Sequence, residues 1–118
     1  RKIDYKMLYG EVLNVRKEIA QKEKEKEILK LSPLEYGIFL ELRGIIKDKE
    51  KSINTTKELK DKISEYLLEG WIDQPVLRQR IFKEVRILAR KLKVKYRLSL
   101  EEFERIYRNL ISLIENYG

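Results

Sequence analysis

Apolar residues in this chain recur at intervals of three and four and never alternate for long, a spacing that builds helices and excludes most β architectures. The expected fold class is therefore all-α. In a first helix from about Asp4 to Leu29, Tyr5, Leu8, Val12, Val15 and Ile19 share one stripe. Its tail, Gln21 to Glu27, alternates Lys and Glu, with opposite charges at i,i+3 and like charges at i,i+4, which reads as a solvated helix end or arm. Ser32, Pro33 and Glu35 form a helix start: a capping hydroxyl, a proline for the first turn and a capping-box glutamate. The second helix then carries Leu34, Ile38, Leu42 and Ile45, widened by Phe39 and Ile46, and fades in the polar connection Lys47 to Lys51.

Thr55 with Glu58 offers another capping box, followed by the stripe Leu59, Ile63, Tyr66 and Leu67, with Gly70 where a left-handed stop belongs. Asp73 reads as an N-cap with Pro75 in the first turn, opening a helix from about Gln74 to Tyr96. Ser99 with Glu102 opens the last helix, on which Phe103, Tyr107, Leu110, Ile114 and Tyr117 line one face to about Asn116. Short joints predict a compact bundle of about five helices in a single domain, with residues 1–30 as a long first helix able to project and 31–118 as the helical core. Because the chain starts at Arg1 and not at Met, it reads as a piece of a longer protein.

Composition limits the chemistry. There is no Cys and no His, which removes disulfides, thiol nucleophiles, imidazole bases and the common nitrogen and sulfur metal sites. With 118 residues the chain should bury roughly 65% of its unfolded surface, enough for one core and not for a deep reaction chamber. No run approaches the length of a membrane span, no signal peptide is visible and no partner in a membrane is expected. A cytoplasmic setting fits. Asp73 reads as a cap, and the acids Glu101, Glu102 and Glu104 suit a helix N-terminus better than a metal. Neither a Gly-rich phosphate loop nor a nucleophile elbow is present, so no catalytic, cofactor-binding or metal-ligating residue is assigned.

Charge is distributed unevenly. Between Gln74 and Arg97 nine basic residues face one acid, Glu84, a net of +8 in a chain whose total is +7, which leaves −1 for the rest. On that helix Leu77, Ile81, Val85, Leu88 and Leu92 form the inward stripe, while Lys83, Arg86, Arg90, Lys93 and Arg97 recur at spacings of 3, 4, 3 and 4 on a second arc. That ridge is about 21 Å long, enough to meet several phosphates or an acidic partner helix. Exposed surfaces ordinarily mix signs. The ridge residues, with Trp71 as a candidate apolar anchor, are the candidate binding residues; the ridge alone does not choose between nucleic acid and acidic protein.

The order of features resembles the C-terminal helical domain of the motor (restriction) subunit of type I restriction–modification enzymes. The likeness runs from about Leu31 to Tyr117. It opens at Leu31-Ser32-Pro33-Leu34-Glu35-Tyr36-Gly37-Ile38-Phe39, continues through Glu58-Leu59-Lys60-Asp61-Lys62-Ile63 and Ile72-Asp73, and includes the basic run Val85 to Leu92 with Lys95-Tyr96. Where the family has Trp after the Ile-Asp pair this chain has Gln74, with Trp71 before the pair, and the family's Tyr-Pro is replaced here by Arg97-Leu98-Ser99-Leu100. The resemblance implies a non-catalytic assembly domain. The parent subunit would be an ATP- and Mg-dependent DNA translocase and endonuclease. This domain would help join it to the methyltransferase–specificity complex, with double-stranded DNA nearby. The residues leave a second reading open: an independent nucleic-acid-binding helical module, such as a small subunit of a defence ribonucleoprotein.

Overall fold

A computed structural model of the chain describes residues 21–118. The predicted stripe at Tyr5, Leu8, Val12, Val15 and Ile19 lies outside the described residues. The chain divides into two compact units, Arg1–Ser32 and Pro33–Gly118. In the first, a helix α1 covers 21–29, and its Lys26 ammonium pairs with the Glu23 carboxylate at 3.1 Å, the i,i+3 pairing that the charge alternation predicts. The helix closes on Lys30, whose φ of 55° is left-handed. Lys30 N–H donates to Glu27 O at 3.1 Å and Leu31 N–H to Lys26 O at 3.2 Å, so the end is a Schellman motif built without glycine.

The second unit is all-helical: α2 (Pro33–Arg43), α3 (Lys49–Ser64), a 3₁₀ turn (Trp71–Asp73), α4 (Pro75–Lys95) and α5 (Leu100–Tyr117). Packing is cyclic. The second and fourth helices each lie against both α3 and α5, which closes a ring around one core. Leu34, Ile38 and Leu42 of α2 enter that core with Leu59 and Ile63 of α3, Ile81, Val85 and Leu92 of α4, and Ile106, Leu110 and Ile114 of α5. Gly37 marks the close approach of α2 to α5, since a Cβ there would stand 2.9 Å from Leu113 Cδ2.

The third helix starts earlier than its capping signals suggest. Asp48, not Thr55, is the N-cap: its carboxylate accepts from Lys51 N–H at 3.0 Å, and Thr55 and Glu58 lie inside the helix. The physical reason is that α3 buries hydroxyls in its first half. Ser52 and Thr56 continue the stripe of Leu59 and Ile63 and are fully buried, a face that a purely apolar count does not register. Each hydroxyl is satisfied locally, Thr56 Oγ1 donating to Ser52 O at 2.8 Å and Ser52 Oγ lying 3.0 Å from Asp48 O and 3.2 Å from Ile46 O. Ser52 thereby ties the α2–α3 connection to the helix that follows it. Arg43 adds a second tie by donating to Lys47 O.

Two further expectations at the α3–α4 junction change. Helix α3 ends at Ser64 with Glu65 as its cap, so Gly70 does not stop it. Gly70 is left-handed as expected, at φ 75°, but it introduces the 3₁₀ turn. That turn takes in Asp73, whose N–H donates to Gly70 O at 3.1 Å, so the N-cap position of α4 falls to Gln74, which makes no side-chain cap bond. The last helix starts as predicted: Glu102 N–H donates to Ser99 Oγ at 3.1 Å and Ser99 N–H to Glu102 Oε1 at 3.4 Å. Its inward face includes Ile106 and excludes Tyr117, which is 62% exposed at the final residue of the helix.

Two stability outcomes follow from these local geometries. Arg97 has φ 52° in the turn after α4, with Leu98 N–H donating to Lys93 O at 3.0 Å, so Arg97→Gly should raise the urea midpoint by the equivalent of about 0.5–1 kcal/mol. A lowered midpoint would show that the Arg97 side chain holds the turn. Ser52→Ala should cost about 1–2 kcal/mol by the same measurement, because the buried Ile46 carbonyl loses its hydroxyl donor; an unchanged midpoint would mean that the loop re-pairs.

Candidate interaction surface

Helix α4 is oriented by its apolar side. Pro75 at its start fits a first turn that needs no N–H, and Ile81, Val85, Ala89 and Leu92 are buried at spacings of 4, 4 and 3. Leu77 and Leu88 pack on the flank of the core. With that side inward, seven of the eight basic residues of α4 occupy the remaining circumference; Arg78 falls on the inward side at the start of the helix, where its guanidinium donates to Ile72 O at 3.3 Å.

The five ridge residues do not form one continuous row. Arg86 and Lys93 lean toward α5: the Arg86 guanidinium lies 5.1 Å from the Tyr107 ring centroid, and the Lys93 ammonium lies 5.6 Å from that of Phe103. Their alkyl stems and charges cover aromatic rings that would otherwise face water. Lys83 and Arg90 stay exposed on the outward crest. Arg97 lies past the end of the helix in the left-handed turn, because α4 stops at Lys95, so the helical spacing does not carry to it. Trp71 is 6% exposed and belongs to the apolar core, which removes it as an exposed anchor.

Cations outside the ridge complete the surface. Lys91 and Lys95 turn toward α3, where with Lys51, Asn54, Thr55 and Glu58 they line a cleft of about 260 Å³ floored by Ile46, Leu88, Leu92 and Tyr96. The Lys95 ammonium also sits 5.7 Å from the Tyr96 ring centroid. Arg80 lies near the C-terminal end of α3. There a hydrogen bond to the Glu65 carboxylate, with burial, raises the Tyr66 hydroxyl above its ordinary value of 10.0, and the Arg80 charge acts in the opposite sense. A count restricted to one arc of α4 misses Arg80, Lys91 and Lys95, and Lys51 is hidden when 47–51 is read as a connection.

Few of these charges are neutralised within the protein. The ion pairs Lys26–Glu23 in α1 and Arg108–Glu104 in α5 do not involve α4. The acids at the start of α5 are already engaged, Glu102 in its capping box and Glu104 with Arg108 at 3.2 Å. Meanwhile α4 holds like charges one turn apart, Arg86 with Arg90 and Lys91 with Lys95, each pair costing about 0.2–0.5 kcal/mol. Lys93 and Lys95 in the last turn recover part of this through the helix dipole, whereas Arg78 and Arg80 near the other end do not. The surface is thus a cationic band with modest built-in repulsion, suited to an anionic partner.

Among the described residues no helix is long and apolar enough to cross a membrane. Comparison with protein families, with curated proteins and with solved structures finds no match to this chain.

The division of the ridge has a measurable consequence. Arg86→Ala and Lys93→Ala should each lower thermal stability by about 0.5–1 kcal/mol through loss of the ring contacts, whereas Lys83→Ala and Arg90→Ala should leave it unchanged or slightly raised. Equal effects at all four positions in thermal melts would contradict this assignment.

Proposed function

We propose that this chain is a non-catalytic helical docking domain that binds an anionic partner through the outward side of α4. The observation that carries the reading is the set of α4 cations that face outward with no carboxylate partner among the described residues. A solvated face would normally interleave acids, both to relieve repulsion and to remain indifferent to nucleic acid. Keeping Arg80, Lys83 and Arg90 together on the outward side without interleaved acids costs helix stability, and none of the three makes an ion pair or a ring contact among the described residues.

The likeness to the C-terminal domain of type I restriction motor subunits gives the docking a context. In that reading the domain joins a cytoplasmic ATP-dependent DNA translocase and endonuclease to its methyltransferase–specificity complex, and ATP and Mg belong to other domains of the parent. The helix start at Ser32-Pro33 and the long basic helix are the features shared with that family. Arg80, Lys83 and Arg90 carry the contact, with Arg86 and Lys93 dividing their charge between the partner and the α5 rings.

Direct binding of nucleic acid by the domain alone is the competing reading, and one experiment separates the two. Lys83→Glu with Arg90→Glu avoids the ring contacts and should leave the fold intact. In the docking reading the double reversal weakens assembly with the methyltransferase–specificity complex by tenfold or more, while the domain alone binds a duplex of about 30 base pairs weakly. If the domain alone binds that duplex tightly, with log affinity falling steeply against log salt, it is a nucleic-acid module. If the reversal changes neither interaction, the outward side of α4 is not the binding surface.

A further inference from the structure

The outward crest of α4 is not purely cationic. Val76, Arg80, Lys83, Ile87, Arg90 and Val94 follow one another at spacings of 4, 3, 4, 3 and 4, the a/d pattern of a helix seam, over a length of about 27 Å. Val76 is 68% and Val94 81% exposed, and Ile87 between them is half-buried without belonging to the core. These three residues are costly where they stand. β-Branched side chains are poorer helix formers than the Ala, Lys or Glu that a solvated crest would carry, and their methyl groups meet water. A single exposed valine needs no explanation, but three apolar residues in register with three cations on one line of one helix do.

We infer that the partner of this crest is an acidic amphipathic helix, whose own apolar seam covers Val76, Ile87 and Val94 and whose carboxylates meet Arg80, Lys83 and Arg90. The inference rests on the docking reading of α4 and adds the partner's class. Charge complementarity selects an acidic partner. The apolar positions select protein over nucleic acid, because a phosphate backbone is read by cations and hydrogen-bond donors and offers nothing for a valine to bury. The heptad spacing selects a helix lying along α4, since only knobs arriving at the same spacing reach all six positions. Duplex DNA would use the cations and ignore the valines.

Calorimetric titration of the 118-residue chain tests this with two synthetic peptides of about four heptads. One places Leu opposite Val76, Ile87 and Val94 and Glu opposite the three cations; the other has the same composition with Leu and Glu shuffled off the seam. The seam peptide should bind, and Val76→Ser with Val94→Ser should weaken it by about tenfold or more while circular dichroism stays unchanged. Lys83→Glu with Arg90→Glu should weaken it as well. The inference is overturned if the seam peptide fails to bind, if the shuffled peptide binds equally well, or if the valine pair proves neutral. A neutral valine pair alongside an effective charge reversal removes only the helical partner and leaves a docking surface read by charge. An ineffective reversal removes the docking reading too.

Discussion

Burial of one side of α4 governs the rest of this molecule. Ile81, Val85, Ala89 and Leu92 must leave water, and in doing so they fix the rotation of the helix between α3 and α5. Every other property of α4 follows from that rotation. Once the apolar side is inward, most of the cations go to one of three places, over the aromatic rings of α5, onto the outward crest or along the cleft beside α3, while Arg78 bonds back to Ile72 O in the 3₁₀ turn. Turning the helix by one residue would bury Arg86 or Arg90, an unpaired charge in a core without a carboxylate to receive it.

The three groups of cations differ in what they do. Arg86 and Lys93 contribute to the fold, because each lies over a ring of α5 and shields it. Those on the crest make no ring contact or ion pair among the described residues and repel their neighbours, which is the feature that the proposed docking role accounts for. Lys91 and Lys95, with Lys51 from α3, rim a small cleft whose floor is apolar. A helix that looks uniformly basic therefore combines cations that cover the rings of α5 with cations that make no such contact, and substitutions there will be misread unless the two are separated.

Local signals were legible where a single side chain does the work. The capping box at Ser99 and Glu102, Pro75 in the first turn of α4 and the left-handed Gly70 all stand where residue chemistry puts them. Misreadings arose where tertiary packing competed with local chemistry. Thr55 and Glu58 make a plausible cap, but Ser52 and Thr56 are wanted in the core, and their hydroxyls can be satisfied by carbonyls of their own helix, so the helix starts at Lys49. Asp73 is a good cap that a 3₁₀ turn claims first. Trp71 is large enough to serve as an anchor and equally suited to fill the core, and the core holds it.

By itself, the sequence determined the all-helical class, the inward stripe of α4 and the excess of positive charge on that helix. Those properties depend on side-chain type and on a period of about 3.6 residues, both readable along one dimension. Tertiary structure decided which cations are free. Whether Arg86 faces solvent or the ring of Tyr107, and whether Lys91 lies on a crest or in a cleft, depends on which helix packs alongside and at what distance. It also decided that Val76 and Val94 stand exposed among the cations, since only the completed ring of α2, α3, α4 and α5 shows which apolar residues the core has left out.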